Sequence, residues 1–143
     1  MKNQYVLSFL VGVLATIGMS VPMILATLAG VAPMPEPIPR AIAKSILGPA
    51  TALPAVMALA VISHLAYGGF WAAVLRSIAS ITWKSGLLLG IALWLLMQVL
   101  VLPWLGWGFF GIAITPKIAV ATLVLHLIYG ALLGWLGQIM IRN

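Results

Sequence analysis

Residues 118–141 read IAVATLVLHLIYGALLGWLGQIMI, and no Asp, Glu, Lys or Arg interrupts them. About 20 apolar residues make a helix long enough to cross ~30 Å of hydrocarbon. Inside lipid the backbone N–H and C=O groups have no water to bond, so a spanning segment is either a helix or a strand of a closed barrel. A barrel strand alternates apolar and polar residues. This stretch does not alternate, so it is expected to be a transmembrane helix.

Working outward, three more apolar runs lie at residues 5–29, 51–75 and 86–102. The run at 86–102 is the shortest and has room to extend outward through Trp83. The first run is too long for a signal-peptide core, and its flank is only Lys2-Asn3-Gln4, so a cleaved leader is not expected. The whole chain is 64% hydrophobic and 6% charged, against roughly 25% charged in a soluble domain. That leaves too little polar material for a water-facing surface. The expectation is an all-α membrane protein, a single domain over residues 1–143 containing a four-helix transmembrane bundle.

An even number of crossings puts both ends on one side. That side holds Lys2, Arg76, Lys84 and Arg142, whereas Arg40, Lys44, Lys117 and the single acid, Glu36, fall opposite. The positive-inside tendency predicts both termini in the cytoplasm and the chain in the cell membrane. The basic residues are scattered singly, which suits headgroup anchors and not a nucleic-acid stripe. Between the first two runs, Pro33, Pro35, Pro37 and Pro39 alternate and enforce extended backbone. In residues 38–47 the isoleucines Ile38, Ile42 and Ile46 share one helical face and Arg40 and Lys44 the other, the pattern of a helix lying in the membrane surface. The loop before Lys117 carries Trp104, Trp107, Phe109 and Phe110 among glycines, as at a lipid–water boundary.

A phrase recurs. Ser63-His64-Leu65-Ala66-Tyr67-Gly68 resembles Leu125-His126-Leu127-Ile128-Tyr129-Gly130. More weakly, Gly12, Met19, Ser20 and Val21 of the first run match Gly90, Met97, Gln98 and Val99 of the third. The chain therefore reads as two parallel two-helix repeats about an axis along the membrane normal. Small residues spaced by four permit close helix approach. Gly12, Gly68, Gly86, Gly90, Gly130 and Gly134 are the expected packing positions, with the first and third helices seated on the small faces of the second and fourth.

His64 and His126 are the only histidines, and an ionisable residue within a membrane is a candidate site. The plainer expectation is two neutral rings, each hydrogen-bonded to a tyrosine, a serine or a backbone carbonyl, with no cofactor. The alternative is a haem b ligated by both rings, with the adjacent glycines making room. Two histidines without carboxylates make a poor metal site, so none is expected. Tyr67 and Tyr129 are expected to bond helix to helix, and Gln98 to bridge to Ser20, Thr16 or a neighbouring protein. Glu36 reads as a solvated loop acid near Arg40, and Pro22 and Pro54 as kinks within helices. The chain has no cysteine and one carboxylate. There is no nucleophile–base–acid set and no phosphate or nucleotide fingerprint, so it is not expected to be an enzyme by itself.

Trp94-Leu95-Leu96-Met97 running to Pro103, the glycine-rich stretch Gly106–Gly111, and Thr122 to Gly130 followed by Gly134 resemble a family of small four-helix integral membrane proteins of bacteria and archaea, known as a domain of unknown function. The resemblance covers most of the chain. It implies this fold and topology, supplies no catalytic residues, and points toward a respiratory setting. Three functions are weighed from the sequence. The first is an accessory subunit of a larger membrane-embedded, electron-transfer assembly, whose partners are lipids and other integral membrane subunits, with no nucleic acid and no soluble substrate. The second is a small cytochrome b-like carrier. The third is a transporter or channel, which one acid and no charged lining make the weakest.

Overall fold

In a computed structural model, residues 2–141 are described. Arg142, counted above among the basic residues on the side of the termini, lies outside the described residues. The described chain is helical and contains no strand. Its elements are α1 (Lys2–Leu28), α2 (Ile38–Leu47), α3 (Leu53–Ile78), α4 (Trp83–Trp104) and α5 (Lys117–Met140). Four of these, α1, α3, α4 and α5, are long and apolar enough to span a membrane, so the protein is of the multi-pass membrane type. Many of their outward residues are large and apolar, Leu25, Ile62, Leu88 and Val120 among them. Such a surface is stable in lipid and not in water.

The local chemistry sets the helix ends. α4 begins at Trp83, ahead of its apolar run, because Thr82 and Ser85 form a reciprocal capping box. The sequence reading placed Pro54 inside a helix. It stands instead in the first turn of α3, where its missing N–H has no partner to lose. Pro22 does lie within α1. At the far end of α4, residues Met97–Val101 widen into a π-helical turn in which the Leu102 N–H reaches back to the Met97 carbonyl. Pro103 follows at once and cannot donate to the ordinary ladder. Single π turns of this kind recur at functional sites.

The long helices pack as two pairs, α1 on α3 and α4 on α5, and α1 lies against α5 to join them. Glycine makes each pair close. A Cβ on Gly86 would press on the Gly130 carbonyl, and one on Gly134 would sit 2.7 Å from Trp83 Cα. In the other pair, a Cβ on Gly12 would sit 2.9 Å from Gly69 Cα and press on the Gly68 carbonyl. At the seam, a Cβ on Gly18 would strike Leu132. Leu75, Ile81 and Ile141 build a core near the end that holds the termini, where the Arg76 side chain also reaches Gln4 at the start of α1. Ile38, Met97, Leu102 and Ile118 build a second core at the opposite end.

α2 sits at that second end. Its Ala43 packs with Val56 and Ala60 of α3, while its Ile38 enters the α4–α5 core. It thus bridges the two helix pairs. On its polar side Glu36 pairs with Arg40 at 3.2 Å and with Lys44 at 2.9 Å. The loop into α5 turns through Gly106, Gly108 and Gly111, all at positive φ. Phe110 joins them at φ 55, ψ 20, a conformation that bulky residues rarely hold. Its ring stands edge-on to Trp94 at 5.9 Å, and the Trp94 indole N–H donates to the Ala119 carbonyl at 3.0 Å.

Candidate functional site

Between the helix pairs, in the half of the bundle that α2 covers, lies a cavity of about 260 Å³. Every long helix contributes to its wall. His64 and Tyr67 come from α3, His126 and Tyr129 from α5, Met19 from α1 and Met97 from α4. Ile38 and Ile42 of α2 close the outer end. Each of these residues except Ile38 and Ile42 was matched across the two halves by sequence. The structure brings all three matched pairs to one space.

The matched residues do not do matched work. Tyr129 is buried, and its hydroxyl donates to the Gly68 carbonyl at 2.7 Å, binding α5 to α3. Tyr67 is 40% exposed and stands edge-on to Trp71 at 6.1 Å. The histidines differ likewise. His126 Nδ1 lies 2.8 Å from the Thr122 carbonyl oxygen. A carbonyl only accepts, so Nδ1 must carry the hydrogen. In the neutral ring this leaves Nε2 a bare acceptor. His64 makes no hydrogen bond of its ring to the described residues, and it stays partly accessible from the cavity.

Thr122 is the hub beneath His126. Its hydroxyl donates to the Ile118 carbonyl at 2.7 Å and accepts from Gln98 Nε2 at 2.8 Å. Gln98 therefore joins α4 to α5, and not to Ser20 or Thr16 as the sequence suggested. The reason is rotational. Gln98 continues the four-residue stripe of Gly86, Gly90 and Trp94, all of which meet α5, while Met97 continues the neighbouring stripe of Leu93 toward the cavity. Ser20 and Thr16 bond instead to backbone carbonyls one turn back in α1, at 2.8 Å each. Gln98 is fully buried and its Oε1 has no partner.

Sequence reasoning found the histidines and tyrosines but did not single out the methionines. Met19, Met23, Met34 and Met97 all line the cavity, four of the seven in the chain. The signal available was the Met19–Met97 match itself. Among the described residues no three of His, Cys, Asp and Glu gather as a metal site would require. The arrangement offers one fixed acceptor, a second imidazole, two phenol rings and soft thioether walls, inside an otherwise apolar pocket. Comparison with protein-family models, curated proteins and solved structures returned no match to this chain.

Proposed function

We propose that this chain is a non-catalytic, accessory subunit of a larger membrane-embedded assembly, of the electron-transfer kind, and that its part in that assembly is to hold a small ligand between its two halves. One observation carries the reading. The residues that repeat between the halves, His64 with His126, Tyr67 with Tyr129 and Met19 with Met97, all line a single cavity. A subunit that only filled a groove in lipid would have no use for an open pocket there, since empty space forfeits contacts. The redox-type assembly is favoured by the side chains present, because imidazole, phenol and thioether are the groups that tune electron carriers.

In this reading the halves are parallel repeats, α1 with α3 and α4 with α5. The helix α2 lies in the headgroup layer, with its Arg40–Glu36–Lys44 face toward water and Ile38 and Ile42 toward the pocket. Both termini face the cytoplasm of a cell membrane. The test is purification of the full chain from its native membrane in mild detergent. A larger species containing other integral membrane subunits is expected. A lone monomer overturns the proposal that it is a subunit.

The convergence of the two rings also favours a second reading, haem b ligated by His64 and His126. The absorption spectrum decides it. A Soret band after haem-replete expression, lost in His126→Ala, supports the haem carrier, and a colourless protein removes it.

A further inference from the structure

We infer that the cavity binds the ring of a lipid-soluble quinol, and prefers the reduced, hydroxyl-bearing form to the quinone. This deepens the reading above by naming the ligand, and rests on it for the placement of the chain in a membrane. Three observations lead there.

The first is size. A space of about 260 Å³ lies just below the roughly 300–1,000 Å³ of pockets for drug-sized molecules. It suits one substituted ring, and a macrocycle would require the helix pairs to part. The second is the wall. Met19, Met23, Met34 and Met97 line it together with Tyr67 and Tyr129. Sulfur packs favourably on aromatic rings, and methionine adapts its shape to them.

The third is the hydrogen bond on offer. His126 donates through Nδ1 to Thr122, so in its neutral state Nε2 can only accept. An acceptor with no partner in an apolar cavity is costly and selects a ligand that donates. A quinol hydroxyl donates, and a quinone carbonyl cannot, whereas a donor on His64 or Tyr67 serves the oxygen of either form, so the difference between the two rests on His126. The Thr122 carbonyl holds the tautomer, because a carbonyl oxygen can only accept. The source of such a ligand is the bilayer itself, where quinols dissolve and from which a gap between helix pairs is reached sideways.

The test uses the full chain in lipid nanodiscs under argon, titrated by calorimetry with duroquinol and then with duroquinone, each a single ring with four methyl groups. Empty discs give the blank. Saturable duroquinol binding is expected, with duroquinone weaker by about fivefold or more, the worth of one net hydrogen bond. In His126→Phe the two forms should bind alike. Equal affinity for both forms in the unaltered chain overturns the inference, as does absence of saturable binding, a preference that survives in His126→Phe, or a Soret band showing the rings ligated to haem. The ratio in the unaltered chain decides the matter even if His126→Phe does not fold. A protein that binds duroquinol selectively yet purifies without partners would sink the subunit proposal and leave this one standing.

Discussion

The two helix pairs use the same device at different registers. By sequence Gly12 corresponds to Gly90. By packing, Gly12 meets Gly68 and Ala72, and the matching residues of the other pair, Gly130 and Gly134, are met by Gly86. The pairs are therefore set one helical turn apart. The position that Gly90 fills in α4 is filled in α1 by Thr16, whose hydroxyl lies where a Cβ on Gly68 would go. So α4–α5 meets backbone to backbone, whereas α1–α3 meets partly through side chains, Thr16 on Gly68 and the Phe9 ring on Gly69. One pair is a rigid clamp and the other has give. The cavity lies between them, and its fixed hydrogen-bonding group, His126, belongs to the rigid pair.

The largest effect should come from the clamp. Gly86→Val would drive side-chain atoms into the Gly130 carbonyl and into Gly134 N, 2.9 Å from a Cβ, with only backbone to yield. A cost of roughly 3 kcal/mol or more is expected, read as lost monodispersity in detergent and a collapsed melting temperature. Gly69→Ala in the pliant pair should cost about 1 kcal/mol or less, since the Phe9 ring 2.8 Å away is 36% exposed and can swing outward. Equal losses in the two variants would break the comparison.

Next comes the tie between the pairs. Tyr129→Phe removes the donor to the Gly68 carbonyl and should cost about 1 kcal/mol. In a double-mutant cycle with Gly69→Ala it should couple, since both act on the same turn of α3. Strict additivity would mean that the bond does not join the pairs.

How much of this was legible in the sequence follows from what sequence encodes. Apolar runs and glycine spacing report on a single helix, so the four long helices and the glycine faces could be read directly. So could His64 and His126, because two such rings inside apolar runs are conspicuous. The relation between helices was read only in part. Gln98 was expected to face α1 and faces α5, because it continues the stripe of Gly86, Gly90 and Trp94, and the packing expected for those glycines was not carried on to it. The one-turn offset of the pairs was hidden, since Gly12 and Gly90 match in sequence whatever their partners. Met19 and Met97 were matched by sequence but not as lining a site, and Met23 and Met34 read as ordinary apolar residues until three dimensions gathered them.

A smaller effect is expected at Gln98. Its Oε1 is buried without a partner, so Gln98→Leu removes an unmet acceptor along with one hydrogen bond. Stability should stay within about 1 kcal/mol of the original, while Thr122 keeps its bond to the Ile118 carbonyl. A loss of several kcal/mol in chemical unfolding would mean that Oε1 is satisfied in the membrane. The smallest change belongs to α2. Glu36→Gln removes the exposed pairs with Arg40 and Lys44 and should cost about 0–1 kcal/mol, fading as salt is raised. A larger, salt-independent loss would mean that α2 is held over the cavity by these charges and not by Ile38 and Ala43.

The central claim is that both halves face one cavity with His126 fixed as an acceptor. Nitrogen-15 magnetic resonance of histidine in bilayers reads this directly, with xenon as a neutral filler of apolar space. The expected spectrum has His126 protonated at Nδ1 and bare at Nε2, and under xenon pressure the signals of both histidines and of the Met19 and Met97 methyls move together. A His126 protonated at Nε2, or a response confined to one half of the chain, would contradict it.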